Sequence, residues 1–195
     1  VFPNYYGNAA AQSAVSLTGS LAVLVICAPL AAGLSERYGK KELSVASCLA
    51  AAAVYLVCLI VHPQNAFVYV AFSTLAYVGF GFFNTVIWAM ITDVIDDAEV
   101  KSGVREDGTI YSVYSFARKL GQALSAGMTG ALLSLIGYTN ETAFEPAITE
   151  RIFILSCIAP IVGFGLVALF LIGLYPLNKR RVEANVAELA RRRGE

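Results

Sequence analysis

Asp93, Asp96, Asp97 and Glu99 crowd together in the sequence, and Lys101 and Arg105 follow closely. Acids and bases at this density support two chemistries. The acids can form a gate, exchanging ion pairs with Lys101, Arg105 or basic residues of another half of the protein. Alternatively, they can hold Mg²⁺ and a diphosphate, as aspartates do in membrane prenyltransferases. That second chemistry usually needs two Asp-rich motifs. All the aspartates of this chain (93, 96, 97 and 107) lie in this one region. A membrane enzyme would therefore need further ligands from elsewhere, and the gate is the reading the residues favour.

A second chemical group lies downstream. Wound as a helix, residues 109–137 place Ser112, Ser115, Lys119 and Gln122 on one face. At about 1.5 Å rise per residue, Lys119 sits roughly 16 Å beyond residue 108. Against a hydrocarbon core about 30 Å thick, that is mid-depth. An ionisable group there faces a cavity or a partner, because lipid does not solvate it. Lys119 is thus either a substrate-facing cation or half of a structural ion pair. Arg118 points about 100° away, toward a different helix or the membrane surface.

On the preceding apolar segment, Tyr77, Gly81, Asn84 or Thr85, Trp88 and Thr92 follow helical spacing. Trp88 is the single tryptophan. An indole can stack on the apolar face of a sugar ring while neighbouring amides and hydroxyls bond its hydroxyl groups. Alternatively, it anchors the helix at the membrane interface.

The elements that must position these groups are apolar. Hydrophobic residues make up 57% of the 195 residues and charged residues only 14%, against about 25% charged in soluble domains. Five segments are long and apolar enough to cross a bilayer: roughly 12–34, 42–61, 66–92, 109–137 and 152–175. Pro63 and Pro176 mark boundaries, whereas Pro29 and Pro160 fall inside spans, where they predict kinks. Glycines recur within the spans, at 79, 81, 121, 127, 130, 163 and 165, and predict close helix packing. Cys27, Cys48, Cys58 and Cys157 all lie in apolar runs and read as small buried hydrophobes. The zero net charge gives no sign of a nucleic-acid partner.

The links alternate in charge. Arg37, Lys40 and Lys41, then Lys101 and Arg105, then the tail from Lys179 to Arg193, hold eleven of the fourteen basic residues. The positive-inside rule places these links in the cytoplasm of a plasma or inner membrane. In the tail, Val182, Val186 and Leu189 predict a short amphipathic helix, lying on anionic lipid or standing in solvent. The opening residues lack a basic region followed by an apolar core, and the chain reads as a piece of something longer.

Two motifs carry a resemblance. Residues 33–41, Gly-Leu-Ser-Glu-Arg-Tyr-Gly-Lys-Lys, resemble the G-x-L-x-D-R-x-G-R-K loop of the major facilitator superfamily. Glu36 replaces Asp, and Gly33 is displaced by one position. Glu36, Arg37, Lys40 and Lys41 can pair there with neighbouring helix ends. Asp93-x-x-Asp96, Glu99, Gly103, Arg105 and Gly108, followed by Phe116-x-x-Lys119-x-Gly121-x-Ala123, resemble the glycoside–pentoside–hexuronide:cation symporters, the melibiose permease group. In the pattern of that group, D-x-x-D-Y-G-E-x-K-T-G-x-R-x-E-G, this chain has Asp97-Ala98 for Tyr-Gly, Ser102 for Thr and Asp107 for Glu.

The resemblance implies an all-α integral membrane fold. Residues 1–8 would be the end of a preceding helix or an outer loop, residues 9–175 would form helices 8 to 12 of a twelve-helix transporter, and residues 176–195 would be a cytoplasmic tail. It implies symport of a sugar or glycoside with Na⁺ or H⁺, by rocking of two six-helix halves about a central site. Lys119, Trp88, Ser115, Gln122 and Tyr114 would line the substrate site. Asp93, Asp96, Arg105, Glu36 and Arg37 would belong to the gate. No cofactor is implied. The partners are the lipid bilayer, the coupling cation, whose site would lie in the N-terminal half, and that half itself. A lipid transporter or a non-transporting scaffold of the same fold is the remaining alternative.

Overall fold

The computed structural model describes residues 1–194, and every regular element among them is helical. In chain order these are α1 (Ala10–Ala22), a π-helical turn (Val23–Cys27), α2 (Ala28–Tyr38), α3 (Lys40–Val61), α4 (Ala66–Ser102), α5 (Asp107–Leu135), α6 (Pro146–Gly173) and α7 (Lys179–Arg193). Four stretches are long and apolar enough to cross a membrane: Ala10–Tyr38, Lys40–Val61, Ala66–Ser102 and Pro146–Gly173. The segment expected as a further span, 109–137, is a 29-residue helix, α5. It has the length but not the apolarity of the other four, because Arg118, Lys119, Gln122 and its serines dilute it.

Pro29 does not end its helix. Proline lacks the N–H that an α-helix needs, and the chain instead widens to a π turn just before it, with the Ala28 N–H reaching the Val23 carbonyl. Gly81 of α4 packs directly against that turn. A Cβ there would stand 2.7 Å from both Cys27 Sγ and Val23 Cγ2. Gly79 lies as close to α3, where a Cβ would meet the Ser47 carbonyl at 2.6 Å. The glycines at 121, 127, 130, 163 and 165 have open space where a Cβ would go, so close packing holds for the first pair alone. α6 runs unbroken through Pro160.

The core has two parts. At one end, Phe2, Ala11, Cys58, Tyr69, Phe153 and Cys157 cluster with Tyr5 and Tyr6, joining the opening residues to α3, α4 and α6. His62, which caps α3 in the left-handed conformation, joins this end through Glu150 at 2.7 Å. At the other end, Ala31, Val86 and Met90 pack with Leu43, Phe82, Leu171 and Tyr175. All four cysteines are free and buried, as their apolar settings implied.

α4 has 37 residues. At about 1.5 Å per residue it is some 55 Å long, well beyond a hydrocarbon core of about 30 Å. The acidic run expected as part of a link from 93 to 108 is therefore mostly helix. Asp97 and Lys101 support this helical turn as an i,i+4 pair at 2.6 Å. Gly103, at φ +75°, then ends the helix in the left-handed region.

Candidate functional site

The charged end of α4 is built from both of its faces. Asp93 and Asp97, four residues apart, are buried at 4% and 8% exposure, and Asp96 and Glu99 are half-buried beside them. Lys40 Nζ donates to Asp93 Oδ1 at 2.6 Å. Lys40 reaches it because Gly39, at φ +103°, turns α2 sharply into α3. The other oxygen, Asp93 Oδ2, is buried without a hydrogen-bond partner.

Arg105 closes the opposite face. Its Nη1 donates to Asp96 Oδ1 and Glu99 Oε2, each at 2.8 Å, and its Nε donates to Asp107 Oδ2 at 3.0 Å. Glu99 first, then Asp96, raise the Arg105 pKa above its already high ordinary value. The cation is therefore fixed at any physiological pH. Asp97 accepts from Lys101, from Arg181 Nε at 3.1 Å and from Asn185 Nδ2 at 3.0 Å. Each of these four acids of α4 thus meets a basic side chain.

Glu36 and Arg37 are not drawn into this cluster. Both are exposed. The Arg37 guanidinium lies 5.3 Å from the ring of neighbouring Tyr38, and its carbonyl accepts from Lys179 Nζ at 3.1 Å. The loop contributes Lys40 instead. Arg181, Asn185 and Arg193 were not legible as members, because helical spacing within the tail says nothing about which helix it docks on.

The second group forms where α5 meets α4. Trp88 and Tyr114 pack edge to face with ring centroids 5.4 Å apart. The Arg118 guanidinium sits 5.3 Å from the Trp88 ring, in cation–π range. Trp88 remains 45% exposed. Arg118 is thus the cation that reaches a neighbouring helix. Lys119, Ser115 and Gln122 lie exposed on α5, with no ion pair or side-chain hydrogen bond among the described residues. No α5 residue is buried. The predicted α4 face is also divided: Gly81 faces the π turn, and Trp88 faces α5. Tyr77 lines an aromatic cavity of about 400 Å³ with Tyr55, Phe80 and Phe164.

A family model described as MFS/sugar transport protein matches residues 1–179. The chain belongs to that family. It is a multi-pass membrane protein, and its helices form a bundle of the major facilitator kind. The resemblance read from the loop after α2 and from the end of α4 is borne out. The chain is 32% identical over 177 residues to the glucuronide carrier protein homolog of Escherichia coli (strain K12), covering 91% of this chain and 38% of that protein. It is 32% identical over 157 residues to a protein of Bacillus subtilis (strain 168) named uncharacterized symporter YjmB, covering 80% and 34%. It is 33% identical over 176 residues to a protein of the same organism named uncharacterized symporter YnaJ, covering 90% and 38%. The chain spans little more than a third of the length of these relatives.

Proposed function

We propose that this chain forms the C-terminal half of a symporter that moves a sugar or glycoside with Na⁺ or H⁺ by alternating access. The observation that carries the reading is family membership over residues 1–179, with relatives named as carriers and symporters. The geometry supports it in two places. Trp88 with Tyr114 offers an aromatic platform at the contact of α4 with α5. Arg105 joins the end of α4 to the start of α5 through carboxylates of both, so movement between these helices must break or carry those pairs. The exposed length of α5 is the surface that the N-terminal half would cover, and the coupling cation would bind in that half. The charged end, with the tail, would face the cytoplasm. Uptake of labelled glycosides by cells expressing the full-length protein tests the reading. Trp88→Ala should raise KM, and an unchanged KM would remove Trp88 from the site.

A second reading narrows the substrate. Arg118 and Lys119 are adjacent on α5, and Arg118 lies against the aromatic platform. A substrate bearing an acid group, such as a glucuronide, fits two cations better than a neutral sugar does. The E. coli relative is named as a glucuronide carrier homolog. Competition between neutral and uronic-acid glycosides distinguishes the two. Stronger inhibition by the neutral compound contradicts the narrower reading.

A further inference from the structure

The tail helix α7 docks on the end of α4, and mostly through polar groups. Asn185 is 8% exposed although its side chain is an amide, and it donates to Asp97 Oδ1 at 3.0 Å. Arg181 Nε donates to the same oxygen at 3.1 Å. Further along, Arg192 Nη2 donates to the Val100 carbonyl at 3.1 Å, and Arg193 Nη2 lies 3.1 Å from both oxygens of Glu99. At its other end, Lys179 Nζ donates to the Arg37 carbonyl at 3.1 Å. Of the apolar stripe expected along α7, Leu189 is buried and Val186 is 53% exposed. The helix is thus held more by charged hydrogen bonds than by an apolar seam. Such bonds are partly screened where they are exposed, and Arg181 and Arg193 are 40% and 47% exposed.

Asp97 occupies a position where the sequence departs from the symporter pattern, which has tyrosine there. Glu99 is shared: its Oε2 takes Arg105 at 2.8 Å and Arg193 at 3.1 Å. One carboxylate therefore ties the tail to the cation that spans the link between α4 and α5.

We propose that α7 is a releasable strap. Docked through Asp97, it places Arg193 on Glu99 and so fixes the carboxylate that holds Arg105. Undocked, it leaves Glu99 free to move with Arg105, and the link between α4 and α5 loosens. Asp97 is a positioning residue in this account and touches no substrate. The consequence for transport rests on the reading of Arg105 as a gate residue, whereas the docking itself does not.

The experiment uses the full-length protein in membranes, with hydrogen exchange of the α7 backbone read beside transport. Arg181→Gln and Arg193→Gln change partly exposed side chains and leave the apolar core intact. Together they should speed exchange across residues 186–190 by about tenfold or more, the loss expected for charged hydrogen bonds. Added salt should speed exchange in the unaltered protein and have little further effect in the double variant. Asp97→Asn should act in the same direction. Transport should change in maximal rate, with KM held within about twofold. Unchanged α7 exchange in both variants overturns the strap. Faster exchange with an unchanged transport rate overturns its coupling to the gate. Arg105→Gln separates the two readings: normal transport in that variant means the gate reading has failed, and the coupling with it, while the exchange data still decide the docking.

Discussion

Lys40 and Asp93 are joined at 2.6 Å across two helices, and only one oxygen of the carboxylate is engaged. Lys40 starts α3 and Asp93 lies near the end of α4. The pair therefore pins the hairpin after α2 to the acidic end of the longest helix. The Asp93 side chain is 5% exposed and that of Lys40 is 29% exposed. The carboxylate has little water to fall back on.

Removing Lys40 should therefore cost more than an exposed ion pair would. Lys40→Met is expected to destabilise the full-length protein by about 2 kcal/mol or more, since it strands a buried charge. Adding Asp93→Asn should recover much of that loss, because no charge is then left behind. Thermal unfolding of the solubilised protein measures both. An additive double variant would mean that the two residues do not act as a pair.

Close packing at two glycines gives a sharper contrast. Gly79→Ala and Gly81→Ala would each push a methyl to within 2.7 Å of a neighbouring helix. Each should cost about 1–3 kcal/mol by overpacking. Gly127→Ala, with open space at its Cβ, should be neutral in these contacts. Unfolding midpoints of the three variants make the comparison. Equal effects would contradict the packing described.

Much of this architecture was legible in the sequence. Apolar run length found α3 within two residues of its observed bounds and the start of α4, but ended α4 ten residues early and began α6 six residues late. Helical spacing placed Trp88 among the candidates, and the resemblance added Tyr114. The end of α4 was harder to read. Its acids look like a loop by composition, and only the i,i+4 partnership of Asp97 with Lys101 and the cap at Gly103 show that the helix continues. Contacts between distant segments were the least legible. Lys40 was one of several loop charges able to pair with a helix end. Nothing local to the tail distinguishes Asn185, which is buried, from Val186, which is not. Spacing separated Arg118 from Lys119 by a rotation about the helix, but the side chain that meets Trp88 is set by how α5 approaches α4.

Orientation is testable from outside the cell. Val104 is 58% exposed in the link between α4 and α5. Val104→Cys should label with a membrane-impermeant thiol reagent only after the cells are opened. Ready labelling in intact cells would place the charged end outside.

The two adjacent cations of α5 should differ in role. Arg118→Ala removes a contact with the Trp88 ring worth about 0.5–2 kcal/mol and should weaken substrate binding as Trp88→Ala does. Lys119 makes no ion pair among the described residues, so Lys119→Ala should fold normally yet lose coupled uptake. Uptake measured beside unfolding separates these outcomes. Normal uptake in Lys119→Ala, or loss of uptake through unfolding, would remove its functional role.

The most direct test of symport is accumulation. The full-length protein is reconstituted in vesicles, and uptake of a labelled glycoside is followed under an imposed Na⁺ or H⁺ gradient. The account predicts that one of the two gradients drives the internal concentration above the external one, and that dissipating this gradient abolishes the excess. Absence of glycoside uptake, or uptake that only ever equilibrates under both gradients, would contradict it.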